Sequence, residues 1–544
     1  MINLEVRAFD RAGHPIEDLQ ADELSLRVDG RPMPIRYFAR FPAAAAATVE
    51  PSSSASTTDS MPAALADPVQ RVVVFVDDFF LGPASRARAM VAVGEFIGRL
   101  APETEVLLAT FDRSGLSVRV PFTRLRRKTH QALDGLPLSS IEGIRRDSDR
   151  RAAIGMIFDL QRARVESPQI GNPPCGRDLQ QFAETQAEAE YADVKRSLKG
   201  LRLLVDALSA IPGRKALIHV SDGIPLFSGT EAFEALRGLC DGSGARQGNP
   251  FALDVTGSAS GELVRIPELT AAPAQYGASK SLSEVTTHAN ANGVTIYPLQ
   301  ALGLAAVGGD SSGEFRTSIE AEQATRWNSQ DTLANLASET GGTAALQRND
   351  LDVVLSNVVR DLDRYVSIGF EPPAARPGKG GLASEGGGHS VEVTTTRKGA
   401  TLRYRKSYRD ADENSRVVDR LLAALYLGAV DNPLAARIDR MPGQKPNAPG
   451  FTLRVIVPSD NLTLIESGGG RSGLVAIHAL RLDERGLSPA RRVQATVQLP
   501  TSDAGAAPFV YDIGFGATPG KAVLVVAVED LLGRKLSVLR YPLD

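Results

Sequence analysis

The chain has 544 residues, 43% of them hydrophobic, with 61 basic against 64 acidic residues and a net charge of -3. This length predicts about three or four domains, and the composition is that of an ordinary globular protein. The nearly balanced charge argues against a nucleic acid or a membrane surface as partner. No stretch of about 18 apolar residues occurs, so the sequence predicts no membrane span.

The first segment, residues 1–41, has the pattern of β-strands. Apolar and charged residues alternate over residues 4–8, and Asp29-Gly30 is a hairpin signal. Forty residues cannot bury a core alone. We therefore expect this segment to pair with strands at 365–409 as one β-sandwich, while the Ala- and Ser-rich composition of residues 42–69 predicts a linker.

A strand at residues 71–76, followed by Asp77 and Asp78, opens an α/β domain at residues 70–364. Its unbroken run of β-branched and aromatic residues predicts a strand buried on both faces of a parallel sheet. Gly82-Pro83 and the helical spacing after it predict a helix, which makes this the start of a βαβ unit. Ligands bind at the carboxyl ends of strands in such sheets, so the two acids mark a candidate site.

A second apolar run, Lys215 to Val220, ends on Ser221, Asp222 and Gly223. Two such strands in one parallel sheet would bring Asp77 and Asp222 together at one edge. Ser221 also follows a strand, as the nucleophile of a hydrolase elbow does, but His219 stands where the elbow needs its first glycine. The sequence therefore argues against a serine nucleophile.

Two insertions interrupt the α/β domain, at residues 139–177 and 224–288. The first is polar and predicts a solvated loop or short helix, and the second is rich in Gly, Ser and Pro and predicts a long irregular excursion. Cys175 and Cys240 fall in these insertions. A disulfide between them and two free thiols are both compatible with the sequence.

The remainder of the chain returns to β-structure after a last helix in the α/β domain. Residues 365–409 predict three strands, and residues 410–449 predict a helix at 413–427 followed by a linker. Residues 450–544 consist of strands and turns and predict a separate C-terminal β-sandwich.

The two strand ends together resemble the von Willebrand factor A family, in the form found in bacterial proteins. In that family the first strand ends in Asp-x-Ser-x-Ser and the fourth in a Ser-Asp-Gly-like turn. Residues 221–223 match the second motif, whereas the two serines of the first fall on Phe79 and Leu81. The resemblance implies a doubly wound, mostly parallel sheet. Together with the strand patterns before and after it, we expect this sheet to be inserted in a β-sandwich and followed by the C-terminal β-sandwich.

The resemblance also implies a divalent-metal site held by Asp77, Asp78 and Asp222. Mg²⁺ takes six oxygen ligands, and neither Phe79 nor Leu81 can supply one. We therefore expect Mg²⁺ or another divalent cation to bind weakly, if a site is retained, and otherwise no cofactor.

The implied function is non-enzymatic binding of a protein partner, of the adhesion type, with Phe79, Phe80 and Ser221 as contact residues. The resemblance implies a secreted, periplasmic or envelope location, whereas the start of the chain, taken alone, lacks a signal sequence and indicates the cytoplasm. Two alternatives remain open: a hydrolase or metal-assisted enzyme that uses Ser221 and Asp222, and a structural scaffold. The oligomeric state is not indicated.

Overall fold

The computed structural model describes residues 2–41, 69–137, 141–166, 177–240, 273–303, 319–371, 388–409, 413–441, 450–467, 470–500, 507–516 and 520–543. These residues form two compact units, one of residues 1–202 with 213–409 and one of residues 203–212 with 410–544. The first is mixed α/β and the second is built on antiparallel sheets. No helix in the described part of the chain is long and apolar enough to cross a membrane.

Strands of the first unit fall into one mostly parallel and two antiparallel sheets. The strands are β1 (Ile2–Phe9), β2 (Leu24–Val28), β3 (Arg31–Met33), β4 (Tyr37–Phe41), β5 (Arg71–Asp77), β6 (Glu105–Asp112), β7 (Gly115–Thr123), β8 (Lys215–Ser221), β9 (Val294–Gln300), β10 (Tyr365–Phe370), β11 (Gly388–Thr395), β12 (Thr401–Arg403) and β13 (Ser407–Arg409). The helices are α1 (Pro83–Arg99), α2 (Arg126–Asp134), α3 (Ile141–Glu166), α4 (Arg177–Ala207, grouped with the second unit from Leu203), α5 (Thr230–Cys240), α6 (Ser279–Ala291), α7 (Ile319–Thr340) and α8 (Leu351–Asp363).

The parallel sheet has the strand order β7-β6-β5-β8-β9, in which only the edge strand β7 is antiparallel. Strands β5 and β8 are the two apolar runs of the sequence, and every residue of β8 is buried. They lie side by side with Val76 opposite Val220. Their carboxyl ends, and the acids that follow, are therefore neighbours.

Helices α1 and α8 cover one face of this sheet. The even-numbered residues of β5, from Val72 to Val76, pack with Phe96 of α1 and Leu355 of α8 in one apolar core. On the opposite face α4 crosses β6 so closely that a Cβ on Gly200 would lie 2.3 Å from the Phe111 ring. Both faces are thus buried, which is why β5 carries apolar residues without alternation.

The first insertion differs from the expected loop or short helix. Residues Ile141–Glu166 form the 26-residue helix α3. The prediction was wrong because the apolar residues of α3 do not share one face: Ile154 and Ile157 are buried, whereas Ile141 is 79% exposed. Without an apolar stripe the sequence carries no strong helical signal.

The second insertion also contains regular structure, so the expected long irregular excursion is only part of it. Helix α5 lies within it, and α6 begins in it. Residues 241–272 lie outside the described residues. Cys175 and the side chain of Cys240 do as well, so a disulfide and two free thiols both remain open.

Strands β1–β4 and β10–β13, from within residues 2–41 and 365–409, form two facing antiparallel sheets, with the α/β domain inserted in the chain between them. One sheet has the order β12-β1-β10-β4 and the other β13-β11-β2-β3. Leu4 lies opposite Ile368, and Leu26 opposite Val393. Buried residues of both segments pack together between the sheets, so neither segment has a complete core without the other.

The second unit is a two-layer β-structure with a helix against it. Its elements are α9 (Glu413–Leu427), β14 (Arg437–Met441), β15 (Phe451–Val457), β16 (Ile465–Ser467), β17 (Gly470–Asp483), β18 (Gly486–Leu487), β19 (Arg491–Pro500), β20 (Phe509–Phe515), β21 (Ala522–Asp530) and β22 (Lys535–Leu543). One sheet is β14-β15-β20, and the other is β16-β17-β21-β22 with β18 and β19 beside β17. An apolar core fills the space between them.

The C-terminal unit includes residues before 450, the position at which the sequence predicted the start of the C-terminal β-sandwich. Strand β14, which lies in the predicted linker, pairs with β15. Leu421 and Leu425 of α9 are buried with Val525 and Ala527 of β21. The predicted segment 410–449 is therefore part of the C-terminal unit, because its apolar stripe and its strand have their partners there.

Candidate functional site

The candidate site is the edge of the parallel sheet where β5 and β8 end. Residues 78–82 join β5 to α1, and Asp222 follows β8 directly. The Asp222 N–H donates to the Phe80 carbonyl oxygen at 2.5 Å, and the Asp78 N–H donates to the Phe111 carbonyl at 2.9 Å. The loop after β5 is thus fixed on both sides by backbone hydrogen bonds.

Asp77 is fully buried and points toward α4. Its Oδ2 accepts a hydrogen bond from the Ser197 hydroxyl at 2.5 Å, and its Oδ1 accepts one from the Phe79 N–H at 3.2 Å. His219 Nε2 lies 3.6 Å from the same Oδ2, and neither ring nitrogen of His219 has a hydrogen-bond partner among the described residues. Both carboxylate oxygens of Asp77 are therefore already engaged by the protein.

Sequence reasoning missed Ser197 and the position of His219. Because side chains alternate along a strand and Phe75 lies opposite His219, the ring of His219 is on the sheet face that also carries Asp77. That signal was available from the strand pattern. Ser197 has no comparable signal, since it is 120 residues from Asp77.

Asp78 forms an ion pair with Arg86, whose side chain is 1% exposed. The Arg86 Nε also donates to the Pro137 carbonyl at 2.8 Å. Burial lowers the pKa of Arg86 from its ordinary value. This carboxylate is thus neutralised by a side chain from the first turns of α1.

Asp222 is the acid with spare bonding capacity. Its Oδ2 accepts a hydrogen bond from the Gly82 N–H at 2.7 Å, whereas its buried Oδ1 has no partner within the described residues. Burial raises the pKa of Asp222 to about 6. Hydrogen bonds from Gly82 and Ser85 and the positive charges of Arg88 and Arg146 act in the opposite direction and lower this pKa. A partly buried carboxylate with a raised pKa at the ligand-binding edge of a sheet is a candidate functional group.

The substitution Asp222→Asn should stabilise the first unit near pH 8. The pKa of the carboxyl rises from 3.8 to about 6 on folding. The stability that its protonated form contributes is therefore complete below about pH 4 and is lost as pH rises through about 6. Asparagine avoids this loss and keeps an oxygen for the Gly82 N–H. At about 1.4 kcal/mol per pKa unit, the gain is about 3 kcal/mol.

Urea denaturation of both proteins near pH 8 and near pH 4 measures this difference, which should close at the lower pH. Asp134→Asn, an exposed acid on α2, controls for the loss of one charge. An Asp222→Asn protein that is less stable than the unchanged protein near pH 8 would contradict the assignment.

The three predicted contact residues all face the interior in this conformation. Phe79 and Phe80 are 0% and 3% exposed, and Phe79 packs 5.5 Å from the Phe111 ring. The Ser221 hydroxyl is buried, donates to the Phe80 carbonyl at 3.2 Å and accepts from the Gly223 N–H at 3.0 Å. A direct contact with a partner would need these side chains to become exposed, so this role stays a prediction.

Helix α3 lies against the loop after β5. A Cβ on Gly143 would be 2.2 Å from the Leu81 carbonyl oxygen, so only glycine permits this approach. Arg146, one turn further, places its guanidinium 3.8 Å from the centre of the Phe80 ring and donates to the Phe79 carbonyl at 3.2 Å. The insertion therefore supplies part of the edge, which the prediction of a solvated loop or short helix did not include.

The residues at this edge do not fit the divalent cation that the resemblance implies. The oxygens of Asp77 are hydrogen-bonded to the protein, Asp78 is paired with Arg86, and the side chains of Phe79 and Leu81 are apolar. Of the three acids, only Asp222 has a carboxylate oxygen, Oδ1, without a partner among the described residues, and Mg²⁺ needs six oxygens. Within the described ranges no three His, Cys, Asp or Glu side chains are grouped as metal ligands.

No protein-family model matches the chain, and no match to a curated protein was found.

Proposed function

We propose that the first unit is a von Willebrand factor A-like module that binds a protein partner at the sheet edge near Asp77 and Asp222, without enzymatic activity. Its dependence on a divalent metal is weakened or lost. We propose that the protein acts outside the cytoplasm, secreted or in the bacterial periplasm or envelope, as the resemblance implies.

The observation that carries this proposal is the environment of the Asp222 carboxylate, which leaves one oxygen unpartnered among the described residues and raises the pKa. A carboxylate that is largely buried, with one oxygen unpartnered and its pKa raised to about 6, costs folding stability near neutral pH. Such a cost is common where a side chain is kept for binding rather than for stability. The preorganised loop of residues 78–82 supports a binding surface at the same place.

The surroundings of Ser221 support the hydrolase alternative less well than those of Asp222 support binding. A nucleophilic serine needs an adjacent general base and access to substrate. The Ser221 hydroxyl is instead buried and bonded to two backbone groups, and its neighbour along the strand, His219, lies against Asp77. Binding is therefore the better-supported function.

The test uses the full chain as bait against the native envelope fraction, with and without chelator. Capture of a specific partner should persist in chelator and should fall at least about tenfold with Asp222→Asn, because removing one member of a buried charge interaction costs more than about 1.4 kcal/mol. Asp222→Asn is expected to be the more stable protein, so a loss of capture cannot come from unfolding. The matched control is Asp134→Asn.

Equal capture by the unchanged protein and by Asp222→Asn would contradict binding at this edge. Covalent labelling of Ser221 by a serine-reactive phosphonate would instead favour the hydrolase.

A further inference from the structure

The guanidinium of Arg146 occupies a site with three different kinds of contact. Its carbon lies 3.8 Å from the centre of the Phe80 ring, its Nη1 donates to the Phe79 carbonyl at 3.2 Å, and its Nη2 lies 3.4 Å from Glu190 Oε1. An aromatic face, a carbonyl and a carboxylate are the partners that a planar guanidinium prefers. We call the Phe80 ring, the Phe79 carbonyl and the Glu190 carboxylate the guanidinium pocket.

The walls of this pocket are held in place by groups other than Arg146. Glu190 Oε2 accepts a hydrogen bond from the Gly229 N–H at 2.7 Å, which orients its carboxylate. The Phe80 carbonyl accepts from the Asp222 N–H and from the Ser221 hydroxyl. The pocket is therefore preorganised for a cation whichever residue supplies it.

Several carboxylates interact electrostatically with the guanidinium of Arg146. Burial lowers the pKa of Arg146, while Glu190, Asp193 and Asp77 act to raise it. The charge of Arg146 in turn acts to lower the pKa of Asp222. Asp193 is itself paired with Arg145, so Glu190 is the carboxylate that would lose its cation if Arg146 were removed. A carboxylate beside an aromatic face favours binding of another cation of the same shape.

The Arg146 side chain is not locked into the pocket by the rest of α3. It is 22% exposed, so the pocket reaches solvent. Neighbouring contacts of α3 are ion pairs with partly exposed arginines, such as Arg145 with Asp193 and Arg150 with Glu231. Ion pairs whose arginines are partly exposed contribute less stability than fully buried ones, and a rotation of one side chain leaves the buried half of α3 around Ile157 in place.

We propose that the guanidinium pocket is an arginine-recognition site, filled in this conformation by Arg146, and that the protein partner inserts an arginine side chain in its place. This rests on the proposed function and names the chemistry of the partner. The partner's guanidinium would stack on Phe80 and donate to the Phe79 carbonyl and to Glu190. Recognition of this kind uses the edge without any metal.

The pocket can be tested without the partner by chemical rescue. Arg146→Ala should lower the melting temperature of the full chain by about 5 °C. Low-millimolar methylguanidinium, far below denaturing concentrations, should restore part of this loss in the variant and none in the unchanged protein. Methylammonium at equal ionic strength should not, because it lacks the planar fork of donors.

Two further variants make the rescue specific. Arg151→Ala, a 61% exposed arginine of the same helix, should show no rescue. Adding Phe80→Leu to Arg146→Ala should remove the rescue by deleting the aromatic face. Arg146→Met keeps the aliphatic stem and provides a second background if the alanine variant does not fold.

Absence of rescue in both backgrounds, or equal rescue by methylammonium or Mg²⁺, would overturn the arginine-recognition site. Methylguanidinium added to the capture experiment tests whether the partner uses this pocket. It should compete with the partner's arginine side chain and reduce capture. Rescue without competition would overturn the partner's use of the pocket. Capture that depends on Asp222 but shows neither rescue nor competition would leave the proposed function standing and the guanidinium pocket refuted.

Discussion

Leu26→Asp should unfold the N-terminal β-sandwich and cost about 4 kcal/mol or more, because it buries an unpaired carboxylate. Leu26 is 3% exposed and lies opposite Val393, a residue that is 367 positions later in the chain. The loss should appear as low soluble yield and a lower urea midpoint. Arg27→Ser, at an exposed position on the same strand, should change the free energy of unfolding by less than about 0.5 kcal/mol.

Deletion of residues 1–41 is the larger form of the same test. It removes β1, which pairs with both β10 and β12, and β2, which pairs with β11. A fragment of residues 70–409 would then expose the apolar faces of the strands that remain, and we expect it to aggregate. A fragment as soluble and stable as the full chain would show that the two segments do not share a core.

Arg7→Leu should destabilise the first unit by about 3 kcal/mol, the cost of removing one partner from a buried charge cluster. Arg7 is 4% exposed, donates to the Asp361 carbonyl at 2.9 Å and pairs with Glu5 at 3.2 Å. Asp361 is also paired with Arg403 at 2.9 Å. The substitution leaves a carbonyl in the last turn of α8, and the carboxylate of Glu5, without one of their donors.

The matched control is Arg364→Leu, one residue beyond α8. Its ion pair with Glu17 is more than half exposed on both sides, so its loss should cost less than about 1 kcal/mol. Urea titrations of both variants measure the two costs. Similar costs for Arg7 and Arg364 would mean that the buried cluster does not hold α8 to β1.

The position of the candidate site followed from the sequence alone. Two apolar runs that end on Asp77 and on Ser221-Asp222 predict buried parallel strands, and parallel strands bring their carboxyl ends to one edge. The helical stripe that predicts residues 413–427 gave α9 with the same bounds. These features depend on local periodicity, which a single sequence carries.

Only the tertiary packing decided which hydrogen-bond or ion-pair partner each acid has. Asp77 is engaged by Ser197, 120 residues away, and Asp222 by Gly82, 140 residues away. Asp78 is neutralised by Arg86 of α1. No periodicity encodes such pairs, because each depends on the distance and direction that the folded chain gives to one side chain.

The sequence did not indicate the role of α3, for the same reason. Its apolar residues do not form one stripe, and it reaches the edge through the Gly143 backbone and the Arg146 guanidinium. A Phe-Phe pair after Asp78 is compatible with an exposed contact surface as well as with a buried one. The sequence by itself determined where the strands end and which acids follow them, whereas the packing of α3 and α4 decided which of those groups are buried, since burial depends on neighbours that are distant in the chain.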